Sequence, residues 1–544
     1  MNQSASTQRY WRSLNDLAKT PEYQDLVSKE FPAGPEEEWT TSSRRRFLQL
    51  MGASIALGTA ASCRMDKEHL LPVKQRDEDH VPGKPLYYAG AMELGGWSQP
   101  LLLTSYEGRP TKVEGNPEHP ESRGASTIWA QASILGLYDP DRSRLPLHEG
   151  VDADWSSFET FALAHFRELK AKQGEGLAVL AIPSRSPAFR RAAAAFRKFF
   201  PRALWTEWEP LHSDSEDAGC LAALGKSVRP RYLLADARAI LALDDDLLHM
   251  RPDSTRLARE YAAHRKPESG WMNRLWSVEP VFTVTGAAAD HRLPLRRAQV
   301  GAFLALLEAK LVEKGLQHPQ ATAVRDGTPR LEAPGLAKFA DAVADDLLAN
   351  RGACVISVGA AQPAAVHARA QRLNVLLGAQ GKTVQYLPAA EPDAGATALA
   401  SLVEAMRGGK LSTLVTLGGN PVYDAPADLD FAGALGAVAT RIHLGLYAEE
   451  TAASSTWHLP QAHFLETWGD GLASDGSHLV SQPMIEPIWG GRSVIEMLTL
   501  LMGNAREGMA MVRESVGGSD VAWRKAVHDG FTAAGAAKAE TVEA

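Results

Sequence analysis

Cysteine is scarce in this chain: three among 544 residues, Cys63, Cys220 and Cys354. An iron–sulfur cluster ligated only by thiolates needs four, so the polypeptide cannot hold one on its own cysteines. The same count excludes a framework of several disulfides. Excess positive charge is also missing: 57 Lys and Arg face 65 Asp and Glu, a net charge of −8, which speaks against a nucleic-acid-binding surface. Aromatic residues are only 7 %, which fits helix-rich α/β layers better than an all-β sandwich. The small and apolar stretch 50–62 is shorter than the ~20 residues a bilayer span needs. What is present is an ordinary globular balance, 45 % hydrophobic and 22 % charged. At about 150 residues per domain, the length suggests three or four structural units.

The apolar stretch is preceded by Ser43-Arg44-Arg45-Arg46-Phe47-Leu48-Gln49. A basic cluster followed by small and apolar residues is the n-region and h-region of a secretory signal; an amphipathic soluble helix would need a polar face that this stretch lacks. Arg44 and Arg45, then Phe47 and Leu48, resemble the twin-arginine signal, which exports folded proteins. Residues 1–42 are long for an n-region and contain Tyr10-Trp11-Arg12-Ser13-Leu14 and Glu30-Phe31-Pro32. They resemble the extended export region of certain molybdopterin-like and iron–sulfur proteins. Cys63 follows Ala60-Ala61-Ser62, where a lipoprotein signal places its acylated cysteine, although Ala60 stands where leucine is usual. Lipidation and an unmodified thiol are both open. The reading is an extended export region (1–42), a twin-arginine signal (43–63) and a charged linker (64–84), with the folded part on the periplasmic side of the cytoplasmic membrane.

Beyond the linker, Leu86-Tyr87-Tyr88-Ala89 and Pro100-Leu101-Leu102-Leu103 read as a β hairpin. Buried strands then alternate with helices: Leu177–Ile182, Ala239–Leu243 and Arg274–Val278, followed by Ala353–Gly359, Thr383–Leu387, Leu414–Leu417 and Arg441–Gly445. Continuous apolar runs separated by helices indicate parallel sheets covered on both faces. The expected fold class is α/β, with two doubly wound, mostly parallel-sheet domains. The expected division is an N-terminal segment with the β hairpin (85–150), a first α/β domain (151–330) and a second (331–544) ending in an irregular tail, frayed after His528.

The residues alone leave several sites open. Gly418-Gly419-Asn420 at a strand end could expose backbone N–H groups to a pyrophosphate; equally, it is a tight turn that needs glycine dihedrals and binds nothing. Asp244-Asp245-Asp246 could offer oxygens to a hard cation, but a solvated loop is the plainer reading. Asp139, Asp141 and Arg142 read as a capped loop with a solvated ion pair. Cys220 and Cys354 fall in apolar settings and read as small buried hydrophobes. No histidine is assigned to a metal.

Several motifs occur in the order of one family. Val113-Glu114-Gly115-Asn116-Pro117-Glu118-His119-Pro120 and Leu137-Tyr138-Asp139-Pro140-Asp141-Arg142 resemble early signatures of the bis-molybdopterin guanine dinucleotide oxidoreductases. Leu417-Gly418-Gly419-Asn420-Pro421, His458-Leu459-Pro460, Glu466-Thr467-Trp468-Gly469-Asp470 and Asp475-Gly476-Ser477 resemble later ones. Met272-Asn273-Arg274-Leu275-Trp276 and Thr285–Leu295, with the export region, resemble the molybdopterin-like subunit of alternative complex III, a quinol:electron-acceptor oxidoreductase.

That resemblance implies a domain that has lost its cofactor and serves as a scaffold beside an iron–sulfur, ferredoxin-like chain or domain. Cytochrome c and integral membrane quinol-oxidising subunits are the further partners it implies. Asn116, Gly418, Gly419, Asn420 and Asp290 are then vestigial cofactor-binding positions, and no catalytic or metal-ligating residue is assigned. The family's cluster-binding cysteines are missing from 87–104, and its ferredoxin-like and last cofactor-covering regions are not found in this sequence, so a split or truncated subunit is expected. The alternative is an active subunit dependent on molybdopterin guanine dinucleotide, completed by a second polypeptide.

Overall fold

The computed structural model describes Thr20, Pro21 and residues 81–543, apart from 82, 212–213, 267, 269, 328–330, 332–333, 390–397 and 533–535. The export region apart from Thr20 and Pro21, together with Arg44, Arg45, Phe47, Leu48, Cys63 and most of the linker, lies outside the described residues.

The first strands form an antiparallel sheet: β1 (Leu86–Leu94), β2 (Trp97–Tyr106) and β3 (Arg109–Gly115). Gly95 and Gly96, at φ 60° and 71°, make the tight β1–β2 connection, whose left-handed dihedrals match the twist of a hairpin. At the end of β3 the chain folds back so closely that a Cβ on Gly115 would lie 2.0 Å from the Ala125 carbonyl oxygen. Thr127 then caps the helix Ile128–Leu137 by accepting from the Ala130 N–H at 3.2 Å.

A second sheet begins with the short hairpin β4 (Leu147–His148) and β5 (Val151–Asp152), then β6 (Leu177–Ala181) and β7 (Leu204–Glu207). The chain leaves it to build β8 (Val228–Tyr232), β9 (Ala239–Leu243), β10 (Arg274–Glu279), β11 (His291–Pro294), β12 (Cys354–Val358) and β13 (Val384–Pro388). It then returns with β14 (Thr413–Leu417), β15 (Thr440–Gly445) and β16 (Trp457–Pro460). The hairpin β17 (Gly469–Leu472) and β18 (His478–Ser481) follows.

The sheet orders are β5-β4-β16-β15-β14-β6-β7 and β11-β10-β9-β12, with β8 and β13 paired separately. Every contact in the four-stranded sheet is parallel, as are those joining β7, β6, β14, β15 and β16. Strands β6, β9, β12 and β14 are buried along their whole length, with hydrophobic clusters on both faces of each sheet. This is the α/β class expected from the uninterrupted apolar runs.

The sheets do not follow the expected 151–330 and 331–544 division. β6 is hydrogen-bonded to β14, and β9 to β12, so the four-stranded unit is inserted into the seven-stranded one. Apolar runs report burial on both faces but carry no information on which strand is the neighbour. Thr383–Leu387 likewise pairs antiparallel with β8 rather than joining a parallel sheet. The tail is not frayed after His528: the Ala537 and Glu540 N–H groups donate to the carbonyls of Asp475 and Tyr386 at 2.8 and 2.7 Å, and Val542 is buried. Among the described residues no helix is long and apolar enough to cross a membrane.

Arg142, expected in a solvated pair, is buried instead. Its guanidinium grips Glu466 in two parallel bonds of 3.0 and 2.7 Å, with side-chain exposures of 2 % and 0 %. Glu466 also accepts the N–H groups of His463 and Ile488, and Arg142 donates to the Leu137 carbonyl. A buried bidentate pair is strongly interdependent, and removing one charge strands the other, at about 3–5 kcal/mol. Glu466→Gln is therefore expected to lower the denaturant-unfolding free energy by about that amount, and Arg142→Met combined with Glu466→Leu to recover much of the loss. Unfolding of Glu466→Gln within about 0.5 kcal/mol of the parent would contradict it.

Candidate functional site

The site expected at the strand ends is the turn after β14. Gly418 and Gly419 both have positive φ, 75° and 74°, a conformation that costs side-chain-bearing residues energy. Gly418 donates its N–H to the Leu444 carbonyl at 2.8 Å, and the Gly419 carbonyl faces His443.

Beneath the turn lies a buried polar chain. His443 Nε2 is 3.1 Å from the Gly419 carbonyl oxygen, His443 Nδ1 is 3.1 Å from His458 Nδ1, and His458 Nε2 is 2.5 Å from Ser143 Oγ. The two rings come from directly opposed positions on β15 and β16. A carbonyl can only accept, so His443 carries its proton on Nε2 and leaves Nδ1 bare. His458 must then donate from Nδ1, and the Ser143 hydroxyl donates to its free Nε2. The chain closes with both imidazoles neutral. Burial pushes the pKa of His443 down to about 4 and that of His458, which also feels His443, to about 3.

The strand-end turn does not present free side chains. Asn420 accepts from the Thr451 N–H and hydroxyl at 3.1 and 2.7 Å and donates to Glu450 at 2.6 Å. Ile182 lies over the first glycine, so that a Cβ there would meet its Cδ1 at 2.8 Å. Glu450 contacts the turn directly, and Glu449 has its carboxyl pKa raised by burial and by the charges of Glu450 and Asp424. The turn is thus bordered by carboxylates.

The other two expected positions lie elsewhere. Asn116, 3 % exposed at the end of β3, donates to the Asp529 carbonyl at 2.7 Å and accepts the Glu118 N–H at 3.0 Å. Asp290 is held by Arg265 in two bonds of 2.8 and 3.0 Å and by the Leu275 N–H. Leu275 lies at the beginning of β10, the edge opposite to the one where the parallel strands end. The structure therefore brings together Gly418, Gly419 and Asn420 but neither Asn116 nor Asp290.

The aspartate run is not a solvated loop. Asp244 accepts from Arg297 and Gln362 at 2.8 and 2.9 Å, Asp245 from Arg251 at 3.2 Å, and Asp246 from the Thr285 N–H and hydroxyl at 2.9 and 2.7 Å. Polar periodicity could not show that partners from later elements would enclose it. Among the described residues no group of three or more His, Cys, Asp or Glu is arranged to hold a metal ion. Cys220 and Cys354 are both buried, and burial raises the Cys354 thiol to about 11 and the Cys220 thiol further.

Sequence reasoning missed a junction that the family-like motifs build together. His119 Nε2 donates to Ser477 Oγ at 2.8 Å, and that hydroxyl donates to Asp475 at 2.6 Å. Glu121 is gripped by Arg231 at 2.5 Å and Arg256 at 3.2 Å. The adjoining cavity, lined by Pro100, Glu121, Arg256 and Ser474, has a volume of about 20 Å³. That accommodates a water rather than an organic ligand, whose pockets measure about 300 Å³ or more.

Comparison with known proteins places the fold first. The structure resembles acetylene hydratase from Pelobacter acetylenicus with a TM-score of 0.66 over 82 % of this chain and 74 % of that one, at 14 % identity. This is an α/β fold of the molybdopterin-oxidoreductase type. In sequence, an alignment 449 positions long and covering 73 % of the chain is 22 % identical to the menaquinone reductase, molybdopterin-binding-like subunit of Nitratidesulfovibrio vulgaris. The match spans 62 % of that relative's length. No protein-family model matches.

A molybdopterin guanine dinucleotide would need donors free to meet its pyrophosphate. The side chains at the strand-end turn do not fit that need: the Asn420 amide is engaged, Ile182 covers Gly418, and carboxylates border the turn.

Burial of neutral histidines has a pH consequence. In the unfolded chain His443 and His458 take up protons below about 6.5, whereas in the fold they resist until about 4 and 3. Stability contributed by this difference is intact above 6.5 and lost as pH falls through that window, at about 1.4 kcal/mol per pH unit for each ring. Thermal unfolding midpoints should fall steeply between pH 6.5 and 4.5 and less steeply in His458→Phe. An identical pH profile for parent and variant would contradict it.

Proposed function

We propose that this chain is a structural subunit of a membrane-bound, quinone-linked oxidoreductase complex, using a molybdopterin-oxidoreductase fold as a platform for redox-active partners. The observation that carries this reading is the strand-end turn, where the fold is kept while the Asn420 side chain is turned to internal partners. The sequence similarity to a subunit named molybdopterin-binding-like, of a menaquinone reductase, supports a place in a respiratory oxidoreductase.

The finer reading is a complex similar to alternative complex III. The chain is exported through the twin-arginine pathway by way of Arg44 and Arg45 and acts on the periplasmic face of the membrane. Three cysteines, two of them buried with raised thiol pKa values, support placing the iron–sulfur clusters in a separate ferredoxin-like chain. Cytochrome c and integral membrane subunits complete the assembly.

Affinity purification of the full chain from detergent-solubilised native membranes tests this. The chain is expected to bring down a cysteine-rich, iron-containing polypeptide, and its deletion to abolish quinone-linked electron transfer along with assembly of that partner. Unimpaired electron transfer in the deletion strain would overturn the reading.

A further inference from the structure

We infer that Arg185 and Arg229, arranged about the Trp97 ring, form a binding site for a small oxoanion bearing at least two oxygens. Trp97 opens β2 immediately after the Gly95-Gly96 turn. Arg185 comes from the loop between β6 and the helix Pro187–Phe199, and Arg229 from β8, so the site joins the three-stranded sheet, the seven-stranded sheet and the inserted unit. The guanidinium carbons stand 3.7 Å and 5.3 Å from the ring centroid. Stacking on an indole fixes the plane of a guanidinium and leaves its in-plane N–H groups to bind something else.

All but one of those N–H-bearing nitrogens lack a hydrogen-bonded protein acceptor among the described residues. Arg229 reaches Asp217 through one terminal nitrogen, but its Nε and its other terminal nitrogen are buried without a partner. Arg185 is bonded only through its backbone N–H, which donates to Glu93 at 2.9 Å; its guanidinium meets no acceptor among the described residues. Ser184 donates to the same carboxylate at 2.7 Å, so the loop is anchored without using the arginine's charge. The Nε groups of Arg142, Arg190, Arg231 and Arg251 are also buried without a partner, but each of those arginines lacks only that one contact, whereas Arg229 lacks partners at two nitrogens. The two orphaned Arg229 nitrogens forfeit the hydrogen bonds they had in water, while Arg185 is half-buried. Two cationic forks against one aromatic ring offer charge-assisted bonds to a carboxylate, phosphate or sulfate. Asp217, Glu216 and Glu93 act on the charge of Arg185 from a distance, Asp217 being shared with Arg229, but none of them takes a hydrogen bond from its guanidinium.

The site is independent of the proposed scaffold role: it requires neither a partner chain nor a cofactor, and its failure leaves that role intact. Inorganic phosphate is the probe, titrated calorimetrically into the full chain against sodium chloride at equal ionic strength. The expected result is saturable binding at one site, weakened at least about tenfold by Arg185→Gln, the loss of one charge-assisted contact. Arg185→Gln removes no hydrogen bond from the fold, so a folding defect does not obscure the reading. Arg229→Gln, which also frees Asp217, serves as the second variant. Arg144→Gln is the control, because Arg144 stacks on Trp489 at 4.6 Å but donates to the Pro140 carbonyl. Phosphate binding no stronger than chloride, or equal affinity in parent and Arg185→Gln, overturns the proposal.

Discussion

The Arg142–Glu466 pair holds an early segment of the folded chain to a late one. It crosses more than three hundred residues and is nearly free of solvent. A bidentate fork in the interior has little tolerance for displacement, because either charge left alone would face a low-dielectric surrounding without compensation. Around it, the His119–Ser477–Asp475 bonds and the Asn116–Asp529 bond repeat the same connection. The N-terminal sheet and the late loops are therefore one construction, and the motifs that looked like separate signatures in the sequence are the two halves of its contacts.

This explains what could and could not be read from the chain. Strands such as Leu177–Ala181 and Thr413–Leu417 were legible because burial on both faces removes the polar alternation that an exposed face would show. Their adjacency was not legible, since hydrogen-bonded neighbours leave no mark on the local pattern. The glycine turn at Gly418 and Gly419 was recognisable from composition, and its positive φ values match the tight-turn reading. The environment of Asn420 depended on Thr451 and Glu450, thirty residues onward. Asp244-Asp245-Asp246 was misread for the same reason: Arg251, Arg297, Gln362 and Thr285 arrive from other elements.

The buried histidine chain supports the strand-end turn. Ser143, His458 and His443 deliver a neutral hydrogen-bond path to the Gly419 carbonyl, which stiffens the strand-end turn from below. Above it, Ile182 and the side chain of Asn420 close around the turn. The polar side chain of the turn is thus bonded to Thr451 and Glu450 within the chain, as the proposed scaffold role expects. The fold shared with acetylene hydratase does not decide between these uses, because function resides in the site and not in the architecture.

The proposed function holds that this chain works as a platform without molybdopterin guanine dinucleotide. Elemental analysis of the chain purified within its native membrane complex measures that most directly. The account predicts molybdenum and tungsten far below one atom per chain, with iron confined to a partner polypeptide separable from it. Near-stoichiometric molybdenum that remains with this chain, and falls when Gly419 is replaced by leucine, would contradict it.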